Sequence, residues 1–91
     1  MRAACHVRVT GRVQGVSFRA WTRGRAEALG LSGWVRNEPD GAVTAYIAGE
    51  KAPLDEMIEA LHKGPIMARV DSVEATPAPA DEAEAGFVIK A

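Results

Sequence analysis

Two short stretches of this 91-residue chain hold the residues best suited to chemistry: Gly11 to Arg19, reading GRVQGVSFR, and Gly33 to Gly41, reading GWVRNEPDG. The first combines glycines with an arginine where the pattern turns from strand to helix. Backbone N–H groups at a helix start lack intrahelical partners, and the helix dipole adds partial positive charge there. A glycine-bearing loop can wrap such donors around a phosphate. The N–H fork of an arginine fits two phosphate oxygens at once. Gln14, Gly15, Val16, Ser17 and Phe18, through the loop, and Arg19, through its side chain, are therefore the candidate phosphate-binding residues. Asn37 in the second stretch carries an amide with one acceptor and two donors. Facing that phosphate, it would hold a water.

Other reactive residue types lack a suitable setting. Ser17 has no adjacent general base in the motif and is expected to be a loop hydroxyl or helix N-cap rather than a nucleophile. Cys5 alternates onto the core face of its strand and reads as a small buried hydrophobe. His6 and His62 read as a surface strand residue and a helix-end residue. Trp21 and Trp34 read as packing residues. Arg23 and Arg25 are expected in solvent, and the acidic segment from Asp81 to Glu84 is expected in a solvated loop. No Cys/His cluster has metal-ligand spacing, so no Cys/His metal site is expected.

The elements that must position the site follow from periodicity. Cys5, Val7 and Val9 alternate with His6, Arg8 and Thr10, a half-buried strand. Gly11 and Gly15 are expected to bracket the turn that follows. Phe18, Thr22, Ala26 and Leu29 form one helical stripe, closed by Gly30 with Leu31 as its capping contact. Leu31 to Asn37 reads as a second strand, with Leu31, Gly33, Val35 and Asn37 on one face. Asp40-Gly41 signals a hairpin turn into a third strand from Ala42 to Ala48, on which Tyr46 is expected to be exposed. Pro53 opens a second helix, with Leu54, Met57, Ile58 and Leu61 as its stripe; Gly64 and Pro65 close it. Val70 to Thr76 is a fourth strand, and Phe87 to Lys90 a short last one.

The order βαββαβ plus a terminal strand predicts an α+β, ferredoxin-like sandwich. Its mostly antiparallel sheet would carry both helices on one face, and residues 1–91 would make one domain. In that arrangement the first two strands run parallel and bring Asn37 and the loop to the same sheet edge. The fold itself hosts many functions, so function has to come from the site.

Composition narrows the partners. The net charge of −1 conceals a basic first half, where seven arginines stand against Glu27 up to residue 37, and an acidic second half. An anionic ligand near the first half is implied. The acidic second half, and the lack of an RNA-binding glycine-aromatic motif, argue against a nucleic-acid surface. No apolar run approaches the ~20 residues of a membrane span, and the alternating N-terminus lacks a signal-peptide core. A cytoplasmic monomer is expected.

GRVQGVSFR followed by GWVRNEPDG resembles the paired signature of the acylphosphatase family, and the helical stripes, the Asp-Gly hairpin and the terminal FVIK extend the likeness over nearly the whole chain. The resemblance implies hydrolysis of carboxyl-phosphate anhydrides to carboxylate and inorganic phosphate, without a cofactor. It implies that the loop amides and Arg19 bind the phosphate of a small acyl phosphate, and that Asn37 positions the attacking water. A similar motif opens hydrogenase-maturation carbamoyltransferases, which continue into further regions, so a free-standing hydrolase is the preferred expectation. A non-catalytic phosphate-binding module is the other alternative.

Overall fold

The computed structural model describes residues 1–80 and 85–91; the expected acidic loop at 81–84 lies outside the described residues. The elements are β1 (Arg2–Arg12), α1 (Phe18–Ala28), β2 (Ser32–Asn37), β3 (Val43–Glu50), α2 (Lys51–Lys63), β4 (Arg69–Pro77) and β5 (Phe87–Ile89). They form a five-stranded sheet ordered β4-β1-β3-β2-β5. β3 runs antiparallel to both β1 and β2, so β1 and β2 are parallel with β3 between them. β4 adds antiparallel to β1, and β5 adds parallel to β2. This is the ferredoxin-like α+β sandwich expected from the element order.

One core joins the sheet to both helices. Cys5, Val7 and Val9 of β1, Val35 of β2 and Val43, Ala45 and Ile47 of β3 pack against Phe18 and Ala26 of α1 and Leu54, Met57 and Leu61 of α2. The period-2 and period-3.6 stripes of the sequence meet here, and their burial from water is the main stabilising contribution. α1 ends in a Schellman motif: Leu31 N–H reaches Ala26 O at 2.9 Å and Gly30 N–H reaches Glu27 O at 3.0 Å. α2 begins two residues before Pro53, which occupies the third helical position. Proline is tolerated there because the N–H it lacks would have had no helical acceptor.

Tyr46 departs from expectation. It is buried, not exposed, in a second small cluster with Ala4 and Ala48, covered by Trp34, Ala78 and Ala80. Its hydroxyl donates to Pro79 O. The chain leaving β4 crosses the back of the sheet and shields the ring, a path that strand alternation does not encode.

Register fixes the site. Val43 of β3 lies opposite Val9 of β1 on one side and Asn37 of β2 on the other. Cross-strand partners share a face, so Asn37 points to the helix side of the sheet. It lies two strand spacings, about 10 Å, from the strand that feeds the loop. The β2–β3 hairpin holding Asn37 is tightly tied. Glu38 N–H donates to Ala42 O at 2.8 Å, and Gly41 N–H to Glu38 O at 3.1 Å. The Glu38 carboxylate accepts from Thr44 and Arg36, and that of Asp40 from Arg8 and from Ala42 N–H.

Two predictions follow from this packing. Thr22 is fully buried and its hydroxyl has no hydrogen-bond partner among the described residues. An unmatched buried hydroxyl costs roughly 1–3 kcal/mol, so Thr22→Val, which keeps the branched shape, should raise the urea midpoint at unchanged m-value; a lowered midpoint would contradict this. The Thr44 and Arg36 hydrogen bonds hold the Glu38 carboxyl below its ordinary 4.5, and those from Arg8 and Ala42 N–H hold Asp40 below 3.8. Carboxylates with depressed folded-state values stabilise fully above their unfolded values and lose that contribution as pH falls through the folded ones. Amide shifts of the hairpin should therefore stay constant down to about pH 4.5 and change only below it. A hairpin transition centred above that value would be inconsistent with these bonds.

Candidate active site

The link between β1 and α1 is shorter than GRVQGVSFR suggests. Gly11 belongs to β1, at a register shift against β4 between Thr10 and Gly11. A Cβ there would fall 2.1 Å from Arg69 O. Glycine at this position lets β4 approach, and the loop proper is residues 13–17. Within it Gly15 has φ 75° with open space around the Cβ position, so backbone conformation alone favours glycine.

Ser17 occupies the N-cap position of α1 and makes no side-chain cap bond; of the two expectations, its hydroxyl is a loop hydroxyl and not a cap. The reason is geometric. Capping hydroxyls act from β-region backbone, whereas Ser17 sits at φ 61°, ψ 24°. It is the only non-glycine residue with positive φ among the described residues. The left-handed conformation costs roughly 1–2 kcal/mol for an L-residue, and such strain collects at functional sites. As at the start of any helix, the first N–H groups are open donors. Trp21 N–H is the first in α1 to find a helical acceptor, Ser17 O at 3.0 Å. The N–H groups of Ser17, Phe18, Arg19 and Ala20 precede it and have no acceptor among the described residues.

No acidic residue lies in the first turn of α1 to balance these donors. Arg19 is half-buried and forms no ion pair among the described residues. Across from it, Asn37 Oδ1 is buried without a hydrogen-bond partner. These groups surround one depression of about 190 Å³, bounded by Val13, Gly15, Ser17, Phe18, Arg19, Ala20, Asn37 and Ile89. The residues carrying the open N–H groups, Arg19 and Asn37 thus border one space of small-anion size, while Asn37 Oδ1 itself is buried.

Of the residues singled out by sequence, Gly15, Ser17, Phe18, Arg19 and Asn37 line this depression. The Phe18 ring is in the core, so only its backbone faces the site. Val16 packs against the core and does not line the depression. Gln14 also stands outside the lining. Its side-chain amide donates to Glu38 O and Ala42 O, each at 2.8 Å. Val13 and Ile89 were not legible as wall residues. Ile89 reaches the site because β5 adds beside β2, with Val35 opposite Ile89; the sequence shows a terminal apolar strand but not its partner.

The remaining surface is chemically quieter. A larger depression of about 690 Å³ lies on the other face of the sheet, around His6, Arg8, Trp34, Arg36 and Glu74. Its arginines are already paired, Arg8 with Asp40 and Arg36 with Glu38. The Trp34 ring carries Arg36 Cζ at 5.0 Å and Lys90 Nζ at 4.8 Å, which places it away from the loop. Trp21 packs on the core beside Phe18, ring centroids 5.5 Å apart. Burial, with the charge of Asp55, pushes the Cys5 thiol up to about 11, so it remains a packed, protonated side chain at neutral pH. Among the described residues, no three His, Cys, Asp or Glu side chains are grouped to hold a metal ion.

Known proteins resemble the chain in both sequence and fold. The acylphosphatase family model matches residues 5–89. An acylphosphatase of Sinorhizobium medicae is 56% identical over 88 residues, covering 97% of this chain and 94% of the relative. The crystal structure of acylphosphatase from Bacillus subtilis superimposes with a TM-score of 0.94 at 32% identity over 100% of both chains. T. kodakarensis HypF matches with a TM-score of 0.85 at 31% identity, over 98% of this chain but 12% of that one. The match of fold, full-length sequence and family model is decisive: the chain belongs to the acylphosphatase family.

Proposed function

We propose that the chain hydrolyses the carboxyl-phosphate bond of small acyl phosphates, with the phosphoryl group seated in the depression at the start of α1. One observation carries this reading. The residues with open N–H groups, Arg19 without an ion pair among the described residues, and Asn37 all border the same 190 Å³ space.

In this reading the backbone of Gly15, Ser17 and Phe18 and the guanidinium of Arg19, which line the depression, hold the phosphoryl oxygens, and Gln14 and Val16 shape the loop from outside it. Donors fixed before the substrate arrives need no reorganisation as charge shifts in the transition state. The Asn37 side-chain amide holds a water with an oxygen lone pair facing phosphorus. Water oxygen bonds to phosphorus in line as the P–O bond to the acyl group breaks, and that bond's electron pair leaves on the carboxylate. The conjugate acid of the leaving group has a pKa of about 4, so it departs as an anion without a general acid. The proton lost by water passes to a phosphate oxygen. Positioning and charge stabilisation supply the catalysis, and no step calls for a metal or organic cofactor.

With this reading go one domain over residues 1–91, a cytoplasmic monomer, and no nucleic-acid or membrane partner. Supporting them are the single cysteine, which is buried, the paired charges of the sheet face, and the finding that no helix among the described residues is long and apolar enough to cross a membrane.

Benzoyl phosphate hydrolysis measured with a chelator present tests the proposal. Wild-type protein should turn over, with inorganic phosphate competing. Removing one transition-state donor costs on the order of 10²–10³-fold. Arg19→Ala should accordingly lose both turnover and phosphate inhibition, and Asn37→Ala should lose turnover with little change in KM. Phosphate binding without turnover would favour the non-catalytic module instead. Activity that requires metal, or full activity in either variant, would overturn the mechanism.

A further inference from the structure

The Gln14 side chain lies in the motif yet does not face the depression. Both hydrogens of its amide are spent on backbone carbonyls of the β2–β3 hairpin, Glu38 O and Ala42 O, each at 2.8 Å. These two carbonyls are also the ones that close the hairpin, accepting from Gly41 N–H and Glu38 N–H. A carbonyl oxygen has two lone pairs, so Gln14 completes both. The donor group belongs to the phosphate loop, one residue before Gly15. One acceptor belongs to Glu38, the residue directly after Asn37.

We propose that Gln14 is a positioning residue: its amide is a strut that sets the distance between the phosphate loop and Asn37. The inference rests on the hydrolytic reading above and deepens it. The two halves of the site come from different elements, β1–α1 and β2–β3, with β3 interposed between the strands. Sheet register brings them to one edge but leaves the loop free to tilt over the hairpin. Between loop residues 13–17 and the hairpin, the Gln14 amide makes the only direct hydrogen bonds among the described residues. Phosphate binding depends on the loop and Arg19 alone. In-line attack depends on the separation of that phosphate from the water at Asn37, and displacements near 1 Å cost on the order of 10²-fold. The strut therefore acts on kcat through Asn37.

The test is a double-mutant cycle on the full chain. Gln14→Met keeps the length of the side chain and removes both donors; Gln14→Asn keeps the donors but shortens the reach. Benzoyl phosphate kcat and KM and the inhibition constant of inorganic phosphate are measured for each, alone and combined with Asn37→Ala. Gln14→Met should lower kcat about 10–100-fold while the phosphate inhibition constant moves less than about threefold, about 0.7 kcal/mol or less. In the Asn37→Ala background the same substitution should cost little more. Additive losses would overturn the strut, as would a tenfold rise in the phosphate constant with kcat retained, which is the signature of a direct ligand. Unchanged kinetics in Gln14→Met would overturn it as well. Amide shifts supply a readout that does not need turnover: Gln14→Met should move the Asn37, Glu38 and Ala42 signals, and unmoved signals would overturn the strut even if wild-type protein proved inactive. Inactive wild-type protein with moved signals would retain the strut and remove the hydrolytic reading.

Discussion

The first N–H groups of a helix lack intrahelical acceptors, and at the start of α1 no other group among the described residues supplies one. Ser17, turned into the left-handed region, makes no cap bond, and the amides from Ser17 to Ala20 stay unmatched. Arg19 adds a full positive charge to the positive end of the helix dipole, an arrangement that costs stability by itself. No carboxylate among the described residues offsets it. In the proposed reading a phosphoryl group supplies the acceptor and offsets the charge.

In the proposed mechanism the rest of the fold faces the phosphoryl group with one water. Parallel β1 and β2, separated by β3, end at the same edge, and Val43 opposite both Val9 and Asn37 fixes their register. A one-residue slip of β2 would turn Asn37 to the far side of the sheet, where Trp34 and Arg36 form a different environment. Burial of Val35 in the core resists such a slip. The apolar pattern of β2 therefore contributes to positioning as well as to stability.

Much of this was legible in the sequence because it depends on local period and parity. The alternation through Gly33, Val35 and Asn37 placed Asn37 on the core face, and the stripe from Phe18 to Ala26 put Arg19 in a first helical turn. What was not legible depends on long-range paths. Gln14 sits in the motif like a ligand, and only the hairpin it reaches shows where its amide is spent. Ile89 becomes a wall through a parallel pairing that a three-residue strand does not announce. Tyr46 looked exposed by alternation until the chain after β4 passed over it. Sequence left Ser17 as either a loop hydroxyl or a cap; its left-handed backbone decides for the former.

The central claim is that an anion completes the start of α1. A ¹H–¹⁵N titration of the protein with inorganic phosphate tests it most directly. Saturable shifts should concentrate on the amides of Gly15 to Ala20 and on the Arg19 side chain, with the Asn37 side-chain amide responding more weakly. Shifts that gather instead around Arg8, Trp34 and Arg36 on the opposite face, or that fail to saturate, would contradict the account.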